Sequence, residues 1–76
     1  MPRNYASTLV PYLRAWRLYR NLRQVDLAHK AKINVTTVIS AESGRPIMIH
    51  NAGSLARVLE VSRETLESTP PPEATS

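Results

Sequence analysis

The stretch that decides the fold is residues 24–45, which read QVDLAHKAKINVTTVISAESGR. It contains two eight-residue segments, 24–31 and 35–42, on either side of a three-residue connection. Asn34 is a favourable N-cap for the second segment, and Gly44 is a favourable C-cap behind it. The many β-branched residues of the second segment favour a strand by propensity alone. The capped spacing outweighs that preference and predicts two helices joined by a tight turn.

A longer helix is predicted before this pair, beginning near Thr8 and ending at Asn21. Thr8 can cap a helix, and Pro11 is tolerated in a first turn. Asn21 tolerates the left-handed conformation that a C-terminal turn often needs. One face of this helix carries four residues at helical spacing, namely Leu9, Leu13, Trp16 and Arg20.

Two further helices are predicted after Pro46, which forbids immediate continuation of the preceding helix. The first covers 51–59 and follows a short apolar connection at 47–49. The second covers 63–67, where Ser62 is the expected cap. The inward positions of these two helices are Ala52, Leu55, Ala56, Leu59 and Leu66.

These elements together predict an all-α, compact five-helix domain over residues 8–67. Residues 1–7 lack hydrophobic periodicity and are interpreted as a flexible arm. Residues 68–76 contain three consecutive prolines and are predicted to be a disordered, extended tail.

Composition narrows the function of this 76-residue chain. It has no Cys and only two Gly, which excludes disulfides, thiolate zinc sites and glycine-rich phosphate loops. The two His are far apart and there is a single Asp, so no metal, cofactor or catalytic role is expected. No apolar run is long enough to cross a membrane and no signal peptide is evident, which indicates a cytoplasmic protein.

The charge of the chain is unevenly distributed. Its net charge is +4, and eight of the ten basic residues but only two of the six acidic residues precede Pro46. A basic half favours a polyanion, either nucleic acid or an anionic membrane surface. The alternative is an uneven solubilising surface, and charge alone does not decide between them.

Residues 24–45 resemble the helix-turn-helix of the phage Cro and CI repressor family. The shared features are an opening Gln, a central Leu-Ala, an aliphatic residue in the turn, a polar cap, Thr37, Val38 and a Glu-x-Gly-basic ending. The resemblance extends over 13–67. It implies a lambda-repressor-like domain that binds double-stranded DNA as a transcriptional regulator, namely a repressor. Lys32 and Glu60 stand where the family usually has Gly, so each turn is either strained or differently built.

The second helix of such a motif lies in the major groove, and the first crosses the backbone. If Val38 and Ala41 face the core, the predicted base-reading residues are Val35, Thr36, Ile39 and Ser40. No Arg, Lys, Asn or Gln lies between Val35 and Ser43, so bidentate base recognition by this helix is excluded. Apolar contacts, DNA shape and water are expected to carry the specificity.

Phosphate contacts are expected around this helix. Gln24 lies at a helix N-terminus, which favours an anion, and Arg23 adds charge beside it. Thr37 and Arg45 flank the recognition helix. The resemblance further implies that His50 and Asn51 follow the DNA backbone. It also implies a structural ion pair between Arg17 and Glu42, with the Arg17 guanidinium close to a phosphate.

Two kinds of partner fit the sequence. One recognition helix covers few base pairs, so a homodimer on DNA is predicted, with its interface near 58–66. The alternative is a protein-interaction module on the same fold, antitoxin-like or an adaptor, using Tyr12, Leu18, Tyr19 or the 47–49 segment. The basic bias favours DNA, and strong salt dependence of binding would distinguish the two. No small-molecule ligand and no membrane contact are expected.

Overall fold

A computed structural model of the protein describes residues 6–72. Within that range the chain forms five helices and one two-stranded antiparallel sheet. The elements in chain order are β1 (Ser7–Thr8), α1 (Leu13–Tyr19), α2 (Gln24–Ala31), α3 (Val35–Glu42), β2 (Ile47–Met48), α4 (Ile49–Leu59) and α5 (Arg63–Ser68). The predicted all-α fold class is confirmed, with the small sheet as an addition.

The first helix begins later than the sequence predicts. Thr8 does not cap a helix but lies in β1, where it pairs with Ile47 of β2. Pro11 explains the difference, because a proline disfavours helical conformation in the residue before it. That residue is Val10, which packs into the core with 1% of its surface exposed, whereas Leu9 is 52% exposed. Val10 therefore packs in the core, where the sequence predicted Leu9.

The central pair of helices has the bounds that the sequence predicts. The Asn34 side chain accepts a hydrogen bond from the Thr36 amide at 3.2 Å and caps α3. Val38 and Ala41 are buried at 0% and 2% exposure, so they are the inward positions of α3. Gly44 follows α3 with φ of 97°, a conformation that favours glycine. Local capping thus overrides the β-propensity of this segment.

The last two helices complete the core. The α4 helix begins at Ile49, two residues before the predicted start, and the α5 helix ends at Ser68, one residue later than predicted. Ser62 caps α5 by accepting from the Thr65 amide at 3.2 Å. All five predicted inward positions of these helices are buried, namely Ala52, Leu55, Ala56, Leu59 and Leu66.

The N-terminal segment connects α4 to α5. The Ile49 amide at the start of α4 donates to the Ala6 carbonyl at 3.1 Å. Thr8 Oγ1 donates to Glu67 Oε2 on α5 at 2.8 Å. Of the predicted flexible arm, residues 1–5 lie outside the described residues, and Ser7 belongs to β1. From Ala6 to Thr8 the segment before α1 therefore contacts β2, α4 and α5 through hydrogen bonds.

The first two residues of the predicted tail contact the rest of the domain. Ser68 is the last residue of α5, and the Thr69 carbonyl accepts a hydrogen bond from Trp16 Nε1 at 2.8 Å. Residues 70–72 have no regular secondary structure, and the rest of the predicted tail, 73–76, lies outside the described residues.

In the part of the chain that the structure describes, three residues other than glycine adopt positive φ angles near 60°. Asn21 follows α1, as predicted, while Lys32 and Glu60 end α2 and α4 in the left-handed conformation. Of the two alternatives for Lys32 and Glu60, the structure shows the strained one. An L-residue with a Cβ pays about 1–2 kcal/mol for this conformation.

Candidate nucleic-acid interface

The outer face of α3 carries the base-reading candidates, but not all of them to the same degree. Thr36 is exposed, Ile39 is 46% exposed and Ser40 is half-buried. Val35 is half-buried and packs against the core, so it offers less surface than the sequence suggests. Ser43, which sequence reasoning missed, is exposed at the end of the helix. Its helical spacing from Ile39 could have revealed it.

The hydroxyl groups on this face differ in the hydrogen-bonding capacity that remains available for DNA. Thr36 Oγ1 donates to Asn34 Oδ1 at 2.9 Å, so its methyl group and its acceptor lone pairs remain for DNA. The Ser40 hydroxyl makes no hydrogen bond within residues 6–72. Ser40 can therefore donate or accept, whereas Thr36 is best placed to accept or to make an apolar contact.

A cleft runs along one side of α3, between the helix and the β1–β2 ribbon. We call it the ribbon cleft. It brings together four predicted site residues, Thr36, Thr37, Ser40 and Asn51, with Ser7, Pro46, Ile47 and Met48. The β1–β2 ribbon thus lies beside the recognition helix, an arrangement that local sequence patterns do not reveal.

A second groove lies on the other side of α3, towards α1 and α2. We call it the arginine groove, and it is lined by Arg14, Arg17, Gln24, Ile39, Glu42 and Ser43. Its floor is the ion pair between Arg17 and Glu42, with Nε to Oε2 at 2.6 Å and Nη2 to Oε1 at 3.0 Å. Gln24 Nε2 also donates to Glu42 Oε1, at 3.1 Å.

The Glu42 carboxylate therefore accepts hydrogen bonds from Arg17 and Gln24, two side chains that the sequence analysis assigned to DNA phosphate contacts. The Arg17 side chain is only 10% exposed, and its Nη1 donates to the Leu22 carbonyl at 2.9 Å. Hydrogen bonding to Glu42 raises the pKa of Arg17 above its usual value. With its charge balanced and three of its nitrogens engaged, Arg17 is primarily a structural residue that fixes α1 to α3.

Arg23 is also paired with a carboxylate. Its Nε and Nη2 donate to the two Asp26 carboxylate oxygens at 2.9 and 3.1 Å, and its amide donates to Oδ2 at 3.2 Å. These hydrogen bonds lower the pKa of Asp26 and raise that of Arg23. The Arg23 side chain is 79% exposed, so a phosphate can displace this surface pair at little cost.

Two other arginines retain their charge for a partner. Arg45 is exposed three residues after the end of α3, and Arg14 is an exposed residue that lines the arginine groove. Neither side chain forms an ion pair or hydrogen bond with any residue in 6–72. Sequence reasoning predicted Arg45 and missed Arg14. The spacing of three residues between Arg14 and Arg17 was the signal that could have placed both on one side of α1.

The remaining predicted phosphate contacts are dispersed. His50 is exposed on the first turn of α4, and its imidazole makes no hydrogen bond with the described part of the chain. Thr37 and Asn51 are half-buried in the ribbon cleft. Among residues 6–72 no cluster of three His, Asp or Glu side chains could hold a metal ion. None of the helices described is long and apolar enough to span a membrane.

The surface predicted for dimerisation is less apolar than the sequence suggests. Leu66 is fully buried, and Val58 and Val61 already pack against the core. The exposed residues of this stretch are polar, namely Glu60, Ser62 and Glu64. The predicted interface near 58–66 stays a prediction, and Leu66 itself contributes to the core of the domain.

The alternative protein-binding surface is present only in part. Leu18 and Tyr19 are 53% and 42% exposed at the end of α1. Tyr12 is half-buried against the core, and Ile47 is buried at 6% exposure. The Tyr19 ring meets the Trp16 ring edge-on, with 5.4 Å between centroids. Leu18 is therefore the most available apolar residue of the predicted set.

The fold and this interface define a five-helix helix-turn-helix domain. A family model described as helix-turn-helix matches residues 13–66, which is most of the chain. The protein belongs to this Cro/CI-type helix-turn-helix family, whose domains bind DNA. Searches of curated proteins and of solved structures found no match.

Proposed function

We propose that this protein is a sequence-specific regulator of transcription that binds double-stranded DNA with α3 in the major groove. The observation that carries the proposal is the outer face of α3, whose exposed side chains are flanked by two arginines without an acidic partner among residues 6–72. A helix without Arg, Lys, Asn or Gln on that face reads bases through methyl groups and hydroxyls, with DNA shape contributing.

Arg45 and Arg14 supply the main phosphate contacts in this proposal. Arg45 lies just beyond the C-terminal end of α3, and Arg14 on α1 lines the arginine groove. Arg23 can join them by exchanging Asp26 for a phosphate. Gln24 and Arg17 support binding indirectly, because both hold the Glu42 carboxylate and so orient α3. Thr37, His50 and Asn51 are secondary contacts from the side of the ribbon cleft.

Repression is the regulatory outcome that we propose. A domain that occupies a DNA site excludes other proteins from it, and nothing more than binding is required. We further propose that two copies bind two half-sites about one helical turn apart, roughly 34–36 Å, in the cytoplasm. Since the exposed surface of α4 and α5 is polar, we expect pairing to be weak in the absence of DNA.

Selection from a random double-stranded DNA pool tests the proposal. The expected result is an enriched motif with two related halves, bound with a steep dependence on salt. A footprint with one unrepeated half-site would contradict the paired arrangement alone. Absence of any enriched sequence, together with salt-independent binding, would contradict DNA recognition itself.

The second candidate function is a protein-interaction module that uses Leu18 and Tyr19, both exposed beside each other on α1. Such a partner would bind equally well after Arg45→Ala and Arg14→Ala and would be released by Leu18→Asp. DNA binding predicts the opposite pattern for the same three variants, so one set of proteins distinguishes the two functions.

A further inference from the structure

The β1–β2 ribbon lies next to the recognition helix, and the proposed DNA-binding function assigns no role to its residues. In the antiparallel register Ser7 pairs with Met48, and both residues line the ribbon cleft opposite Thr36 and Ser40. The ribbon therefore borders the face of α3 that is proposed to meet base pairs.

Contacts with the core, α4 and α5 hold this ribbon in place. Ile47 faces inward at 6% exposure, and the Ile49 amide donates to the Ala6 carbonyl at 3.1 Å. Thr8 is held to Glu67 at 2.8 Å. Since successive residues of a strand point to opposite faces, the burial of Ile47 turns Met48 outward.

Met48 is the apolar residue on the outward face of the ribbon. Its side chain is 47% exposed, although it lies next to hydroxyl-bearing residues at the opening of the cleft. A thioether is flexible and polarisable, which suits it to irregular apolar surfaces. The thymine C5-methyl group is the apolar feature that base pairs present in the major groove.

We propose that Met48 is a specificity-determining residue, whose side chain packs on a thymine C5-methyl group beside the base pairs under Thr36 and Ser40. Ser7, held next to Met48, donates its hydroxyl to the DNA backbone on the same side. This inference rests on the proposed function. It adds a second reading element, contributed by a strand, to the helix that the family motif supplies.

A methyl-deletion cycle tests the contact. Each thymine of the selected sequence is replaced in turn by deoxyuridine, which removes only the C5-methyl group, and affinities are measured for the wild type and for Met48→Ala. We expect one thymine position where the replacement weakens wild-type binding about fourfold, since a buried methyl contributes about 0.8 kcal/mol. At that position, replacing thymine by deoxyuridine should not weaken the binding of Met48→Ala.

Leu18→Ala is the matched control, because Leu18 is exposed to a similar extent and does not line the ribbon cleft. It should show every deoxyuridine effect of the wild type, and Met48→Leu should retain most of the fourfold effect. The inference is overturned if Met48→Ala responds to each deoxyuridine as the wild type does. An unchanged motif and salt dependence in that case leave the proposed function standing, whereas a wild type without any motif overturns both.

Discussion

Glu42 on α3 accepts two hydrogen bonds from the guanidinium of Arg17 on α1, at 2.6 and 3.0 Å, and the two side chains are only 6% and 10% exposed. The pair sets the position of the recognition helix relative to the first helix. It also removes one positive charge from the set that DNA phosphate can use, so the structural and the binding roles of the basic half are separate.

Removing one partner of this pair should destabilise the domain strongly. Arg17→Leu leaves the Glu42 carboxylate without its main donor, and we expect a loss of about 3–5 kcal/mol. Arg17→Leu combined with Glu42→Leu should recover much of that loss, because no uncompensated charge remains. Thermal and urea unfolding measure both effects. Arg23→Leu is the control, since its ion pair is exposed and its loss should barely move the midpoint.

Arg45→Ala should weaken binding to all DNA sequences alike, because a phosphate contact carries no base information. The slope of log K against log salt should fall by about 0.9 for the lost contact. Arg14→Ala should behave in the same way. Arg57→Ala removes the same charge from an exposed position in the last turn of α4, not beside the recognition helix in sequence, and should change the slope much less. A changed sequence preference in Arg45→Ala would instead identify that residue as a base reader.

Thr36→Ala should reduce discrimination at one base pair by about 1–3 kcal/mol at most, while changing stability little. The hydroxyl lost is an exposed one that bonds only to Asn34 within the described chain. Val38→Ala is the paired variant, because Val38 is fully buried and should cost about 1–3 kcal/mol of stability with the preference intact. Melting curves and selected-sequence profiles of both proteins check the assignment. The reverse outcome would mean that α3 is rotated.

Lys32→Gly and Glu60→Gly should each stabilise the domain by about 1 kcal/mol. Both residues hold left-handed φ angles that glycine adopts without a Cβ penalty, and the gain is reduced by the greater freedom of glycine in the unfolded chain. Asn21→Gly should give a smaller gain, because Asn already tolerates this conformation. Urea midpoints of the three variants compare them. A loss of stability at Lys32 and Glu60 would show that the side chains make compensating contacts.

The stability of the domain should fall below about pH 4 partly through Asp26. Hydrogen bonds from Arg23 hold the folded-state pKa of this carboxyl below its unfolded value of about 3.9. Its stabilising contribution is therefore complete above that value and is lost as the pH falls through the folded pKa. Asp26→Asn should flatten this part of the pH–stability curve and lower the stability slightly above pH 6, where the contribution of the carboxylate is complete. A curve unchanged by the substitution would assign the acid sensitivity to other carboxyls.

The parts of the fold that depend on neighbouring residues could be predicted from the sequence. The bounds of α2 and α3 follow from Asn34 and Gly44, which act on the adjacent helix ends. The later start of α1 has a local cause at Pro11, but the strand before it could not be predicted, because β1 forms only when Thr8 meets Ile47, a residue far along the chain.

The candidate site divides in the same way. The outward direction of Thr36 follows from helical spacing and from the burial of Val38. The reassignment of Gln24 and Arg17 does not, because it depends on which donors reach Glu42 across three helices. Residue type showed where positive charge is plentiful, and only the three-dimensional arrangement showed which charges are already balanced.

The hydrogen bond from Trp16 to the Thr69 carbonyl gives the protein a built-in optical probe. Trp16 is the single tryptophan of the chain, and its ring also meets Tyr19 edge-on and the Arg20 guanidinium at 5.8 Å. Indole emission responds to hydrogen bonding and to the polarity around the ring. The intrinsic fluorescence of the protein therefore reports on one place, where the first helix meets the residues that follow the last helix. Undocking of those residues can be followed without a label, separately from events on the face of α3.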